Sequence, residues 1–274
     1  MRILVMIWIS IVSIVVAAGQ ASAQSSSRDS GKRMVLVELF TSQGCDMCPT
    51  AEAILGALAE KDRRIVPIAF HVDYFNDPWK DIFSDPLYSR RQSVYNQLYS
   101  KPKNPEYGLY YTPMLMIDGV ETANGREPAA AREVIRQAAS RRPGVELKVA
   151  LDLKSDGDSG TADVEVISLM ARAEKTPLLV CAVLREDGVV TDIPAGENVG
   201  KSLEARFPAR LTKYEFIEMD GKTPTVQSFT FNIDPSWNKT KLGLAVFVQD
   251  KKTGEVHQSA DIPWKSTATK SAAK

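Results

Sequence analysis

Apolar residues follow two different patterns along the chain, and the change between them falls near residue 143. Before that point, short apolar runs alternate with segments in which apolar residues recur every three or four positions. After it, short apolar segments are separated by turn-forming clusters, and no long helical pattern occurs. The first pattern predicts strands that alternate with helices, and the second predicts an all-β sandwich.

The first half of the chain predicts two apolar strands, a hairpin and three helices. Met34–Phe40 and Ile65–Phe70 are nearly continuous apolar runs, as in strands that are covered on both faces. Pro67 removes a backbone donor, so the second strand should lie at a sheet edge or carry a bulge. The other predicted elements are helices over Pro49–Lys61, Pro86–Ser100 and Pro128–Ser140, and strands over Met114–Ile117 and Val120–Ala123 joined by the turn Asp118-Gly119.

The second half predicts strands separated by turns. Arg141-Arg142-Pro143-Gly144 is the predicted boundary between a domain over residues 34–142 and a domain over residues 143–265. The predicted strands are Val145–Leu151, Ala162–Leu169, Pro177–Leu184, Leu211–Glu218, Thr225–Ile233 and Leu242–Val248.

The two ends of the chain differ in composition from the predicted domains and are expected to lie outside them. Arg2, the apolar run Ile3–Ala18 and the small residues Ala21-Ser22-Ala23 together predict a secretory signal peptide over residues 1–23. An uncleaved anchor helix is the alternative, but the run is shorter than the roughly 20 residues that span a bilayer. A flexible arm is expected over residues 24–33 and a disordered tail over residues 266–274. We therefore expect a secreted or periplasmic protein, in a compartment where disulfides persist.

Charge and cysteine content narrow the function classes. The 34 basic and 34 acidic residues balance, which argues against a nucleic-acid partner because phosphate-binding surfaces are usually basic. Three cysteines in 274 residues do not make a disulfide scaffold. Cys181 lies in an apolar strand and is expected to be a small buried residue.

Cys45 and Cys48 carry the candidate chemistry. They are separated by two residues and lie between a predicted strand and a predicted helix, which is a redox-type context. Cys45 is expected at the helix N-terminus, where free backbone N–H groups stabilise a thiolate. Zinc would need two further ligands, and only Cys181, His71 and His257 are available, so we assign no metal and no cofactor.

The sequence resembles two families, one more general than the other. The Cys-x-x-Cys segment together with Tyr111-Thr112-Pro113 resembles the thioredoxin fold, which implies a cis Pro113 and a Thr112 backbone that pairs with substrate. The more specific resemblance is to secreted proteins catalogued as domain of unknown function 1223. Its motifs here are Val37–Cys45, Phe70–Tyr74, Tyr111–Pro113 and Gly196–Gly200. The expected fold class is an α/β thioredoxin-like domain with a helical insertion, followed by an all-β sandwich-like domain.

The signal peptide, the Cys-x-x-Cys pair and the resemblance to the thioredoxin fold together predict an exported thiol–disulfide oxidoreductase that acts on protein or peptide disulfides, with a membrane redox protein as a candidate partner. Cys45 would attack and Cys48 would resolve, and the two would form a redox-active disulfide. Glu38 on the first strand is a candidate general base toward Cys48, with a solvent-facing or ion-paired carboxylate as the alternative.

Residues after the second strand are candidates for substrate contact. His71, Asp73 and Tyr74 follow its carboxyl end, where ligand sites of such sheets lie. His71 and Asp73 are equally well interpreted as hydrogen-bonding residues that fix the loop. The aromatic residues that follow are expected mainly to pack the insertion, with a peptide groove as the alternative.

Two other functions remain open from the sequence. Cys45, Cys48, His71 and Met114 would suit a copper(I) delivery protein, since soft sulfur ligands select this ion. A binding module in which the two cysteines form an inert bridge is the other alternative. The physiological substrate is not predicted by any motif.

Overall fold

The computed structural model describes residues 32–98, 108–170, 176–220 and 223–265. The predicted signal peptide, the tail over residues 266–274 and most of the arm over residues 24–33 lie outside these ranges. Within the described ranges, no helix is both long enough and apolar enough to cross a membrane.

The described residues form three α-helices and thirteen strands. The helices are α1 (Cys48–Lys61), α2 (Pro86–Leu98) and α3 (Pro128–Ala139). The strands are β1 (Val35–Thr41), β2 (Ile65–His71), β3 (Met114–Ile117), β4 (Glu121–Asn124), β5 (Val145–Leu153), β6 (Ser159–Ser168), β7 (Thr176–Glu186), β8 (Val189–Asp192), β9 (Ser202–Ala205), β10 (Ala209–Met219), β11 (Thr225–Asn232), β12 (Leu242–Asp250) and β13 (Val256–Pro263). The predicted helices and strands are confirmed within a few residues, whereas β8, β9 and β13 were missed.

The first sheet has the strand order β2-β1-β3-β4 and carries α1 and α3 on one face. Val37 and Leu39 of β1 lie on this face, and Leu55 and Ile135 of the helices pack in the same apolar cluster. The edge position of β2 confirms the expectation from Pro67. The β3–β4 turn is also confirmed, because Asp118 and Gly119 both have positive φ, at 47° and 71°, as a type I′ turn requires.

A second sheet lies against the opposite face of the first. Its order is β10-β7-β12-β13, and its residues Val183 and Phe247 share an apolar cluster with Phe40 and Phe70 of the first sheet. The third sheet, β11-β6-β5, packs on the far side of the second sheet. Alternate residues of β7 serve the two interfaces, since Val180 faces the third sheet and Val183 the first.

The expected fold class is wrong, because the protein is mostly β-sheet rather than an α/β thioredoxin-like domain. Of the described residues, 44% are in strands and 19% in helices, and β1–β2 is the one parallel pair among the described strands. The face of the first sheet opposite α1 is covered by another sheet, and Tyr88 and Tyr95 of α2 are buried in the same apolar cluster. A continuous apolar strand indicates that both faces are covered, but it does not indicate whether helices or another sheet cover them.

The short hairpin β8–β9 is the missed element that matters for the site. Its two strands pair with each other, from Val189 opposite Ala205 to Asp192 opposite Ser202. The loop between them, residues 193–201, lies against the turn that contains Cys45.

Candidate functional site

The two cysteines lie where β1 leads into α1. Cys48 is the first residue of α1, and Pro49 occupies the first turn, where its missing N–H costs no hydrogen bond. Cys45 lies in the preceding turn, three residues before the helix begins. The Cys45 N–H donates to the Ser42 carbonyl at 3.2 Å, and the Cys48 N–H donates to the Cys45 carbonyl at 3.3 Å.

Both residues are free thiols, and both are buried, with 1% of Cys45 and 0% of Cys48 exposed. The predicted redox-active disulfide is therefore wrong for this structure. The turn that holds Cys45 lies before the helix that holds Cys48, and the side chains are joined by a hydrogen bond instead of a covalent bond. The inert bridge proposed as an alternative is equally unsupported, because no bond joins these cysteines.

The two thiols have opposite acidities. The hydrogen bond from Cys48 is the largest cause that lowers the pKa of Cys45, from 9.0 to about 7, against the opposing effect of burial. The Thr112 hydroxyl and the backbone N–H groups of Met47 and Cys48 lower it further. Burial and the neighbouring Cys45 raise the pKa of Cys48 far above its ordinary value. One thiol therefore ionises near neutral pH while the other keeps its proton.

A buried polar chain leads away from Cys48. The Thr41 hydroxyl is hydrogen-bonded to Cys48 and donates to Glu52 Oε1 at 3.1 Å. Glu52 Oε1 lies 3.7 Å from His71 Nε2, and His71 Nδ1 lies 2.7 Å from Asp81 Oδ2. Glu52 is one helical turn after Cys48, so both side chains emerge on the same face of α1. This chain thus connects the Cys48 thiol to a carboxylate without passing through solvent.

Burial and mutual charge decide how these groups ionise. Burial raises the pKa of Glu52, although His71 opposes it. Burial lowers the pKa of His71, but the Asp81 and Glu52 carboxylates outweigh it and raise that pKa overall. Burial also acts to raise the pKa of Asp81, but His71 outweighs it and lowers that pKa. Asp81 also accepts the Gln43 N–H at 2.7 Å, which ties this network to the Cys45 turn.

Glu38 is buried, but it lies on the other side of the sheet from α1. Its neighbours Val37 and Leu39 face α1 and α3, so period-two alternation directs Glu38 toward the second sheet. There it accepts from Arg91 Nε at 2.5 Å and from the Tyr95 hydroxyl at 2.6 Å. The structure therefore does not bring Glu38 to Cys48, and the ion-paired alternative describes its position.

The segment before β3 lies beside the thiols. The Thr112–Pro113 peptide bond is cis, as the resemblance implied, and the Thr112 hydroxyl affects the Cys45 pKa. Tyr74 is 38% exposed and stacks against Tyr110 with ring centroids 4.8 Å apart. Asp73 differs, because its N–H donates to Ser89 Oγ at 3.0 Å and its carboxylate accepts from the same hydroxyl. Asp73 therefore fixes the loop to α2, whereas Tyr74 is available at the surface.

His71 is fully buried and belongs to the polar chain behind the thiols, not to the exposed rim. The described residues contain no group of three or more His, Cys, Asp or Glu arranged to hold a metal ion. Met114, the proposed copper ligand, lies in the apolar cluster between the first and second sheets. Its partner on β1 is Phe40, which lies in the same cluster.

Sequence reasoning missed four residues of the site, which are Glu52, Asp81, Glu197 and Asn198. The i, i+4 relation of Cys48 and Glu52 was a usable signal. The Gly196–Gly200 motif was noted only as part of the family resemblance. In the structure, Asn198 Nδ2 donates to the Gln43 and Cys45 carbonyls at 2.8 and 2.9 Å.

Comparison with solved structures supports the observed fold. Protein AGR_C_4864 from Agrobacterium tumefaciens matches with a TM-score of 0.60 and 20% identity, over 86% of this chain and 96% of that one. HBP35 of Porphyromonas gingivalis matches with a TM-score of 0.65 and 15% identity, over 89% of this chain and 80% of that one. At these identities the likeness shows the fold alone.

A third, partial match is a domain of the outer membrane lipoprotein Omp28 from P. gingivalis. Its TM-score is 0.28 and its identity 15%, over 44% of this chain and 87% of that one, which is too slight for an argument about the fold. None of the curated proteins compared with the chain by sequence matches it.

The fold and the site define a β-rich protein with a buried, asymmetric dithiol before a helix. The sequence matches the family "Protein of unknown function (DUF1223)" over residues 36–249. The chain belongs to this family, which confirms the resemblance seen in its motifs.

Proposed function

We propose that this protein exchanges thiols and disulfides with a protein or peptide substrate through Cys45 and Cys48. The observation that carries the proposal is the unequal acidity of the two thiols. Cys45, with a pKa of about 7, is partly thiolate at neutral pH, and the thiolate is the attacking species in this chemistry. Cys48 stays protonated until the mixed disulfide forms, because burial raises its pKa.

The proposed reaction balances as a two-electron exchange. The Cys45 thiolate attacks one sulfur of the substrate disulfide, a Cys45–substrate bond forms, and the other substrate sulfur leaves as a thiolate that takes a proton. Cys48 then loses its proton and its sulfur bonds to the Cys45 sulfur. The bond between Cys45 and the substrate breaks, and the second substrate sulfur leaves as a thiolate that takes a proton. The substrate disulfide gains two electrons and the cysteine pair loses two. A dithiol protein that runs the same steps in reverse would restore the pair.

Glu52 replaces Glu38 as the proposed proton acceptor for Cys48. The Thr41 hydroxyl links the two groups, since it is hydrogen-bonded to Cys48 and 3.1 Å from Glu52 Oε1. A carboxylate whose pKa is raised by burial is a better base at neutral pH than an exposed one. Glu52 does not touch the substrate in this proposal and is therefore a positioning residue that acts through Thr41.

We propose that the exchange takes place outside the cytoplasm, in a secreted or periplasmic location. The charged start at Arg2, the apolar run Ile3–Ala18 and the small residues Ala21-Ser22-Ala23 support this. Dithiol exchange on protein disulfides has substrates in such a compartment, because disulfides persist there.

A trapping experiment tests the exchange. Cys48→Ala removes the resolving thiol, so Cys45 should stay joined to the substrate as a mixed disulfide when the purified protein meets a disulfide-containing peptide. We expect one adduct per chain, mapped to Cys45 by mass spectrometry. The matched control is Cys45→Ala, which should give no adduct.

Cys181 is the internal control for thiol reactivity. It is buried on β7, and burial raises its pKa to about 12. Cys181→Ala should therefore leave trapping unchanged. An adduct at Cys181, or none at Cys45 after prolonged incubation, would contradict the proposed exchange.

A further inference from the structure

Cys45 has a reactive acidity but almost no exposure. Its pKa is lowered to about 7, yet only 1% of the residue is exposed. A substrate disulfide has to reach the sulfur along the line of the bond that breaks, so this conformation does not admit one. Something that covers Cys45 has to move before exchange.

The loop between β8 and β9 lies against the Cys45 turn. Asn198 is fully buried, and its side-chain amide donates to the Gln43 carbonyl at 2.8 Å and to the Cys45 carbonyl at 2.9 Å. The Glu197 carboxylate accepts the Asp46 N–H at 2.9 Å. The loop therefore occupies two carbonyl acceptors and one N–H donor of the backbone around the nucleophile.

The ends of this loop are suited to movement. Gly196 and Gly200 have φ values of +87° and +79°, which side chains rarely adopt, so both positions favour glycine. A Cβ atom at either position would meet nothing within 4 Å, so there is open space on that side of each glycine. Three hydrogen bonds from two residues between them hold the loop to the Cys45 turn.

A cavity lies between this loop and the segment that follows β2. It measures about 350 Å³ and is lined by Gly44, Phe75, Trp79 and Gly196, among others. Gly44 is needed at its base, because a Cβ there would lie 2.9 Å from the Phe75 carbonyl oxygen. The loop thus has space beside it as well as contacts beneath it.

We propose that the loop over residues 195–200 is a cover on the Cys45 thiol, held shut by Asn198, and that a substrate reaches the sulfur only after displacing it. The cover comes from the β-rich part of the chain, which gives that part a direct role at the dithiol. The substrate's part in this inference rests on the proposed exchange. The accessibility of Cys45 is a property of the protein alone and is tested without any exchange.

Alkylation of Cys45 by iodoacetamide measures this accessibility. The parent protein is the full chain carrying Cys181→Ala, and the opening variant carries Asn198→Ala in addition. The alkylated residue is identified by mass spectrometry. Loss of two hydrogen bonds that hold the cover should raise the Cys45 alkylation rate at least about tenfold. Val199→Ala is the matched control, because Val199 is 60% exposed and adjacent, and its rate should stay within about twofold.

The pH dependence of the alkylation rate distinguishes displacement of the cover from a disturbed conformation of the Cys45 turn. The groups that set the pKa of Cys45, including Cys48 and Thr112, lie outside the loop, so the midpoint of the rate profile should stay at or below about 7. If Asn198→Ala fails to fold, Glu197→Ala provides a second opening variant. We expect its Cys45 alkylation rate to increase about threefold, because one hydrogen bond is lost.

Three results would overturn the cover. They are an opening variant that reacts no faster than its parent, an equal acceleration in Val199→Ala, and a faster reaction with a raised midpoint. None of these depends on whether the protein exchanges disulfides, so the cover and the proposed function fail separately.

Discussion

Removal of Cys48 is the most informative perturbation of the Cys45 thiolate. The hydrogen bond from Cys48 is the largest contribution that lowers the pKa of Cys45 to about 7. At that pKa about half of Cys45 is thiolate at pH 7, whereas at a pKa of 9 about one molecule in a hundred would be. In Cys48→Ala the burial that opposes ionisation remains, while Thr112 and the backbone N–H groups still favour it. We expect the midpoint of Cys45 ionisation to rise by about one pH unit or more.

The assay is the pH profile of Cys45 alkylation by iodoacetamide, in a Cys181→Ala background. The midpoint is a better readout than the rate at pH 7, because thiolate nucleophilicity increases with pKa and offsets part of the loss in thiolate. For a rise of one pH unit the thiolate fraction falls by several-fold, but the rate by only about threefold or less.

Cys48→Ser is the matched control. Its hydroxyl still donates a hydrogen bond, so its midpoint should lie between those of the parent and Cys48→Ala. If the midpoint of Cys48→Ala stays within about 0.3 pH units of the parent, our attribution of the lowered pKa to Cys48 is refuted.

Three further predictions concern the buried polar groups around the site. Glu52→Gln should slow the release of the substrate from Cys45 at least about tenfold and leave the attack of Cys45 on the substrate disulfide unchanged. A rapid-quench time course measures the two rates separately, and equal slowing of both would contradict the proposed role of Glu52. The His71–Asp81 pair should stabilise the fold fully between about pH 4 and about pH 6.5, with the gain lost as pH falls through the lowered pKa of Asp81 or rises through the raised pKa of His71. Urea unfolding across this range should show that dependence flattened in His71→Gln, and an unchanged profile would contradict it. Arg91→Met should destabilise the protein by about 3–5 kcal/mol, because it leaves the buried Glu38 carboxylate without its ion-pair partner. The exposed Arg136→Met should leave the free energy of unfolding nearly unchanged, and equal losses in the two variants would contradict this.

Local features of the site were predictable because they depend on neighbours in sequence. Cys45 and Cys48 between a strand and a helix, the Asp118-Gly119 turn and the edge position of Pro67 all follow from short-range rules. Glu52 was within reach of the same reasoning, one helical turn beyond Cys48. Glu38 was the candidate proton acceptor instead, with an ion-paired or solvent-facing carboxylate as the alternative, because a nearly continuous apolar run does not reveal which sheet face each residue occupies.

The fold class and the cover over Cys45 depend on contacts between distant parts of the chain. Phe247 and Val183 of the second sheet cover the face of the first sheet on which Phe40 lies. The periodicity along β1 carries no information about which strands cover that face. Asn198 lies 153 residues after Cys45 in the chain. A buried strand predicts that it is covered, and only the tertiary structure identifies the covering element.

The central claim is that Cys45 and Cys48 act together as one two-electron exchange unit. The most direct measurement is the stoichiometry of a single turnover, in which reduced Cys181→Ala protein is mixed with excess disulfide-linked peptide and the released peptide thiols are counted. Our account predicts two peptide thiols released per protein molecule, and one released thiol with a retained Cys45 adduct in Cys48→Ala. No release from the Cys181→Ala protein, or the same single thiol from both proteins, would contradict it.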